Sequence, residues 1–174
     1  MRFKLLPLVL AALLTACGSA VVNPVSGQAE RSVMSEQTEV AEGAKAHKEV
    51  LQEYGVVKDA RLQAYVNELG QRLAKLSHRN QLQWHFTLLD SPEINAFALP
   101  GGYVYVTRGI MAYLQSEAEL AGVIGHEIGH VTARHGAQRA TRQQDAGLGV
   151  LAATILGAVL EAKGVAGAGQ LASD

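Results

Sequence analysis

The chain has 174 residues, with 15 Lys and Arg against 16 Asp and Glu and a formal net charge of −1 at pH 7. Nothing in that balance marks a surface for nucleic acid, and no nucleic-acid partner is expected. Cys17 is the only cysteine, which excludes a disulfide within the chain.

The amino terminus has the layout of an export signal. Arg2 and Lys4 form a short positive region, Leu5 to Leu14 form an apolar run too short to span a bilayer, and Leu14-Thr15-Ala16-Cys17 closes it. This closing tetrapeptide resembles the lipobox of bacterial lipoproteins. The resemblance implies cleavage before Cys17, acylation of that cysteine and a signal peptide over residues 1–16 that takes no part in the fold. Acyl chains on Cys17 would hold the protein at a membrane, each buried methylene contributing about 0.8 kcal/mol. A periplasmic location follows from the same resemblance. Gly18 favours the outer membrane, because an Asp at that position tends to retain enterobacterial lipoproteins at the inner one. The competing reading is a free thiol in a plain secretory peptide. Residues 17–38 mix Ser, Gly, Asn, Pro and Gln without a clean period and read as a lipid-anchored linker.

Beyond the linker, the pattern is helix, then strands, then helix. Glu39 to Tyr54 is a polar helix candidate that Gly55 would stop. Asp59 to Leu76 carries Leu62, Val66, Leu69, Leu73 and Leu76 at alternating spacings of four and three, which makes one apolar stripe. At Leu82, Trp84, Phe86 and Leu88 the period changes to two, as in a strand with one buried face. Asn95 to Leu99 and Tyr103 to Thr107 read as a hairpin turned at Pro100-Gly101-Gly102, where paired glycines accept positive φ. Thr107 is placed to cap a short helix over Arg108 to Gln115.

Next comes the stretch with the most chemistry, His126-Glu127-Ile128-Gly129-His130. On a helix of about 100° per residue its two histidines lie about 40° apart and one turn along the axis, so their rings can converge on one ion. Glu127 points about 100° aside, which suits a general base acting on metal-activated water rather than a ligand. H-E-x-x-H therefore points to a zinc metalloprotease with His126 and His130 as metal ligands and Glu127 as the catalytic residue. Ser116 and Glu119 have capping-box spacing just before Leu120, Val123 and Ile124, so a helix starting near Ser116 would carry the motif in its middle. Gly122, Gly125 and Gly129 would each weaken an isolated helix by about 1 kcal/mol. They imply close packing or room for substrate and metal, and the helix is expected to be buried on both sides.

Several other residues invite functional readings. His135 would fall on the opposite side of a continuing helix from His126 and reads as a second-shell or surface residue. Arg134 and Arg139 read as solvent-exposed, with carboxylate binding as the alternative, and His47, His78 and His85 read as structural. Ala146 to Leu160 is apolar, rich in Gly and Ala, and short for a membrane span of about 20 residues. It reads as a buried helix, with membrane contact as the alternative. A helical layer on a small sheet, with the motif helix beneath an edge strand, is an α+β arrangement.

Taken together, Ile94 to Thr107, Glu117-Ala118-Glu119-Leu120-Ala121 and His126 to His135 resemble the M48 family of zinc metallopeptidases. Within that family they are most similar to its periplasmic lipoprotein branch of outer-membrane quality control. The likeness covers roughly residues 40–140, so residues 39–174 are assigned as a partial M48-type peptidase domain. The resemblance implies a gluzincin-like α+β fold and one Zn2+ per chain. It also implies hydrolysis of periplasmic polypeptides, misfolded envelope proteins among them. By the same resemblance, Asn95, Ala96 and Phe97 would form an edge strand that binds substrate by strand addition. The plainer reading of that segment is a hairpin whose Phe97 fills the core. Such peptidases take a third ligand from a later helix, commonly a Glu in an E-x-x-A-D-like element. Glu161 is the only downstream glutamate and its surroundings do not match, so the third ligand is expected beyond Asp174. A rival reading is a catalytically incomplete lipoprotein scaffold that binds extended polypeptides or assembly partners. A purely structural helix without metal is a further one.

Overall fold

The computed structural model describes residues 19–162. Residues 1–18, which hold the expected signal peptide and Cys17, and residues 163–174 lie outside the described residues. In chain order the elements are β1 (Ser19–Val22), β2 (Ala29–Ser32), α1 (Glu36–Tyr54), α2 (Ala60–Ala74), β3 (His85–Leu89), β4 (Ala96–Leu99), β5 (Tyr103–Thr107), α3 (Arg108–Tyr113), α4 (Glu117–Thr132) and α5 (His135–Ala162).

A three-stranded sheet organises the middle of the chain in the order β3-β5-β4. β3 runs parallel to β5, and β4 turns back antiparallel to β5 through Gly101 and Gly102, both at positive φ as the turn requires. Alternation sorts the strand residues onto two faces. Phe86, Leu88, Val104 and Val106 face α2 and α4, where they meet Val66, Leu69, Leu120, Ile124 and Ile128 in one core. Full burial of side chains of this size contributes about 1.5–3 kcal/mol each. The opposite face lies under α1. There His47 Nδ1 is 2.7 Å from the Tyr105 hydroxyl, and the rings of His85 and Tyr103 stack at 4.6 Å. His47 and His85 are therefore packing residues, as expected. At Gly43, α1 approaches the hairpin so closely that a Cβ would lie 1.9 Å from the Pro100 carbonyl oxygen.

The start of the chain differs from the sequence reading. Residues 19–32, expected to be part of a linker, form an antiparallel hairpin that docks on α5. Gln138 Nε2 donates to Glu30 Oε2 at 2.8 Å, the Val33 amide donates to Thr141 Oγ1 at 3.1 Å, and Arg31 pairs with Asp145. α1 begins at Glu36 rather than Glu39, because the Ser35 hydroxyl caps it by accepting from the Thr38 amide. α2 begins after Asp59 as expected, but its stripe is buried only in the middle. Val66 and Leu69 are in the core, whereas Leu62 is exposed and Leu76, beyond the helix end at Ala74, is 84% exposed.

Glu39, expected on a polar helix, is 1% exposed and sits between two arginines. Its Oε2 accepts from Arg79 Nη1 at 2.9 Å and its Oε1 from Arg134 Nε at 2.6 Å. Arg79 also reaches Glu36 and the Val131 carbonyl, and Arg134 reaches the Met34 carbonyl. The solvent-exposed reading of Arg134 is thus corrected in favour of its alternative, carboxylate binding: it is buried, and its charge is met by that of Glu39.

Two outcomes are expected. Glu39→Ala would leave two guanidiniums without their shared carboxylate and should cost about 3–5 kcal/mol in urea unfolding; a loss below 1 kcal/mol would contradict the arrangement. Burial lowers the pKa of both His47 and His85 from the ordinary 6.5, with the neighbouring His85 charge adding to the effect at His47. The unfolded chain then binds protons more readily, so their contribution to stability is full above that value and is lost as pH falls through it. The melting temperature should fall from about pH 7.5 to 5.5, and the double variant His47→Gln, His85→Gln should show a shallower fall.

Candidate metal centre

α4 is set up by local chemistry before any tertiary contact. Ser116 caps it by accepting from the Glu119 amide at 3.2 Å, and the Glu119 carboxylate reaches back to the Gln115 amide at 2.7 Å. One side of the helix, Leu120, Ile124, Ile128 and Val131, is buried in the core. The other side is open, which corrects the expectation of burial on both sides. Gly122, Gly125, His126 and Gly129 are exposed, and a Cβ added at any of the three glycines would touch nothing within 4 Å. Those glycines provide room rather than close packing.

His126 and His130 come together as the spacing predicts. Their ring centroids are 4.5 Å apart and their planes meet at 79°. Potential ligand atoms of His126, Glu127 and His130 all lie within 4.8 Å of one another, and among the described residues no other His, Cys, Asp or Glu joins them. Glu127 lies on the boundary between core and opening. Desolvation raises its carboxyl pKa, and the charges of His130 and then His126 oppose that shift. Two imidazoles beside one carboxylate suit a borderline-soft divalent ion such as zinc, and the fit leaves room for further ligands.

α4 does not run on into α5. The chain breaks at Ala133 and Arg134, the latter at φ 58°, before α5 starts at His135. The break brings His135 back to the motif, with its Nδ1 2.7 Å from His130 Nδ1. Its pKa is lowered by desolvation first, then by His130, Arg142 and Arg139, against a smaller opposing effect of Glu30. Sequence reasoning read His135 as lying behind a metal ligand or at the surface, but could not name His130 as its partner, because that depends on where the helix stops.

A cleft of about 640 Å³ opens beside the group. His126, Glu127 and Val123 form one wall, and Asn95, Ala96 and Ile110 lie opposite. β4 is hydrogen-bonded only to β5, so among the described residues its other edge is unpaired. Asn95 and Ala96 line the cleft. Phe97 does not. It points to the other face of the sheet and stacks on Tyr105 at 4.8 Å, with Tyr54 beyond. Nor does it fill the main core, which corrects the plainer reading of Phe97, while its backbone lies in β4 at the edge of the sheet.

Of the apolar segment Ala146 to Leu160, every described side chain, through Thr154, is exposed. The expectation of a buried helix is corrected over that part: α5 leaves the hairpin after Asp145, and no described element covers it. No helix among the described residues is long and apolar enough to cross a membrane. Glu161 lies near the end of α5, and its side chain lies outside the described residues.

Residues 28–173 match the profile of peptidase family M48. The chain belongs to that family. The beta-barrel assembly-enhancing protease of Yersinia pestis is 34% identical over 148 residues, which cover 83% of this chain and 30% of that protein. Its namesake in Escherichia coli is 43% identical over 91 residues, 51% of this chain and 18% of that protein. The mitochondrial metalloendopeptidase OMA1 of Schizosaccharomyces pombe is 34% identical over 122 residues, 67% of this chain and 35% of that protein. The chain thus spans about a third or less of the length of these relatives. Its fold is mixed helix and sheet, with the His-Glu-His group on a helix.

The open face of α4 makes a direct prediction. Gly125→Ala should stabilise the chain by about 0.5–1 kcal/mol in urea unfolding, since the methyl meets nothing and the helix gains. A loss of stability would mean that another part of the protein packs on that face.

Proposed function

We propose that this chain is the zinc-binding portion of a metalloendopeptidase of the bacterial cell envelope that cleaves extended polypeptide segments. The observation that carries this reading is the His126, Glu127 and His130 group facing the unpaired edge of β4 across one cleft. An extended substrate would add to that edge through main-chain hydrogen bonds, which suits unfolded chains and requires little of their sequence. Asn95, Ala96 and Phe97 supply the edge, with Asn95 and Ala96 on the cleft side.

His126 and His130 would hold the ion, with a third, carboxylate ligand from a segment outside the described residues. The greater length of the relatives supports that assignment. Zinc so held would supply Lewis acidity to the scissile carbonyl and to water. Glu127 takes the proton of the attacking water on its carboxylate and passes it to the leaving amine nitrogen. Its partial burial favours this exchange, because a carboxylate with a raised pKa holds the proton long enough to deliver it. Val123 and Ile110, on opposite sides of the cleft, add apolar surface next to the reacting groups.

Location and substrates extend the same proposal. Acylated Cys17 would tether the domain to a membrane from the periplasmic side, the outer membrane by the Gly18 argument. Substrates would then be misfolded or misassembled envelope proteins. The name of the Yersinia pestis and Escherichia coli relatives, beta-barrel assembly-enhancing protease, supports that choice.

The test is Glu127→Gln assayed on an unfolded polypeptide with zinc present. Cleavage should fall by about two to four orders of magnitude with the circular dichroism spectrum and zinc content retained. Cleavage at the native rate would overturn the assignment of Glu127 and the mechanism with it.

A further inference from the structure

The contact between His130 and His135 has a consequence for the metal site. Nδ1 to Nδ1 at 2.7 Å is a hydrogen bond, so one ring donates and the other accepts. Two nitrogens bound to one tetrahedral zinc at about 2.0–2.1 Å would stand about 3.4 Å apart, so the pair is not two ligands of one ion. The direction of the bond decides what His130 can do. If His135 donated, His130 would carry its own proton on Nε2 and offer no lone pair there. If His130 donates, its Nε2 lone pair is open to a metal.

We propose that His135 is a positioning residue for the metal site: its Nδ1 accepts the Nδ1–H of His130 and so holds His130 in the tautomer whose Nε2 can bind the ion. The proposal rests on the zinc reading above for its purpose, though not for its geometry. Ligand histidines are generally oriented by an acceptor on the other ring nitrogen, a role more often filled by a carboxylate or a carbonyl. Here the acceptor is a second imidazole, which must itself be neutral and protonated on Nε2.

The fold holds His135 from both sides. Before it, Arg134 is fixed at φ 58° by Glu39 and by the Met34 carbonyl. After it, Gly136 lies so close to Pro100 that a Cβ would meet the Pro100 ring at 2.9 Å. One neighbour is thus tied to α1 and the segment before it, the other to the turn of the β4–β5 hairpin. The backbone that carries His135 is therefore placed by contacts that involve neither the metal ligands nor the cleft.

Long-range 1H–15N NMR of the metal-free full chain at about pH 8 reads the tautomers directly. The expected result is His130 protonated on Nδ1 and unprotonated on Nε2, with His135 unprotonated on Nδ1. In His135→Phe the His130 proton should move to Nε2 in a large part of the population, and in His135→Asn, whose amide oxygen can accept, it should stay on Nδ1. Zinc titration of the same proteins should show affinity weakened about tenfold to a hundredfold in His135→Phe and largely recovered in His135→Asn. A His130 that carries its proton on Nε2 in the native chain overturns the proposal, as does equal zinc affinity in the native chain and His135→Phe. The expected tautomers in a native chain without zinc affinity would overturn the proposed function and leave the pairing standing.

Discussion

The carboxylate of Glu39 is the constraint on which the arrangement around the metal centre depends. It is buried, charged and shared by Arg79 and Arg134, which come from the segment before β3 and from the break between α4 and α5. Removing these charges from water is expensive, and such clusters often stabilise a protein no more than apolar side chains of the same volume would. The Glu39 cluster contributes direction. Arg134 can sit at φ 58°, a conformation costly for a non-glycine residue, because Glu39 and the Met34 carbonyl take its guanidinium. Arg79 in turn donates to the Val131 carbonyl, one residue past His130. The last turn of the motif helix and the first turn of α5 are thereby set at a fixed angle, and His135 is delivered to His130.

The motif helix divides the labour between its two sides. Its apolar side is locked into the core shared with α2 and the sheet, which fixes the backbone that carries His126, Glu127 and His130. Among the described residues, its glycine side is bare. A rigid back and an empty front are what a site needs when its ligands must be held in place while substrate approaches. Glu127 lies between the two environments, desolvated on one flank and open to the cleft on the other. β4 completes the arrangement by presenting an unpaired edge at the opposite wall.

Much of this was legible in the residues. H-E-x-x-H, the Ser116 cap, the alternation from Leu82 to Leu88 and the Gly101-Gly102 turn are all local signals, and each element they predict is present. The misses share a physical cause. Glu39, Arg79 and Arg134 are far apart in sequence, and a charged residue on a polar helix looks the same whether it ends in solvent or between two guanidiniums. The hairpin of residues 19–32 has no core of its own and is held by α5, so its strands carry little pattern. His135 needed the position of a helix break, and Arg134 at that break has no glycine to mark it. Phe97 was weighed as cleft or core, but the face under α1 is a third environment that only strand register reveals. The apolar stretch after Asp145 looked like a buried helix on composition alone, while burial depends on a neighbour that the pattern cannot name.

The most direct test of the account is the zinc content of the purified chain by elemental analysis, with His126→Ala as the control. The account predicts close to one zinc per chain in the native protein equilibrated with excess zinc and its loss in the variant, with both showing the same helical content. Zinc absent from the native chain, or retained in full by the variant, would contradict the claim that His126 and His130 form a metal centre.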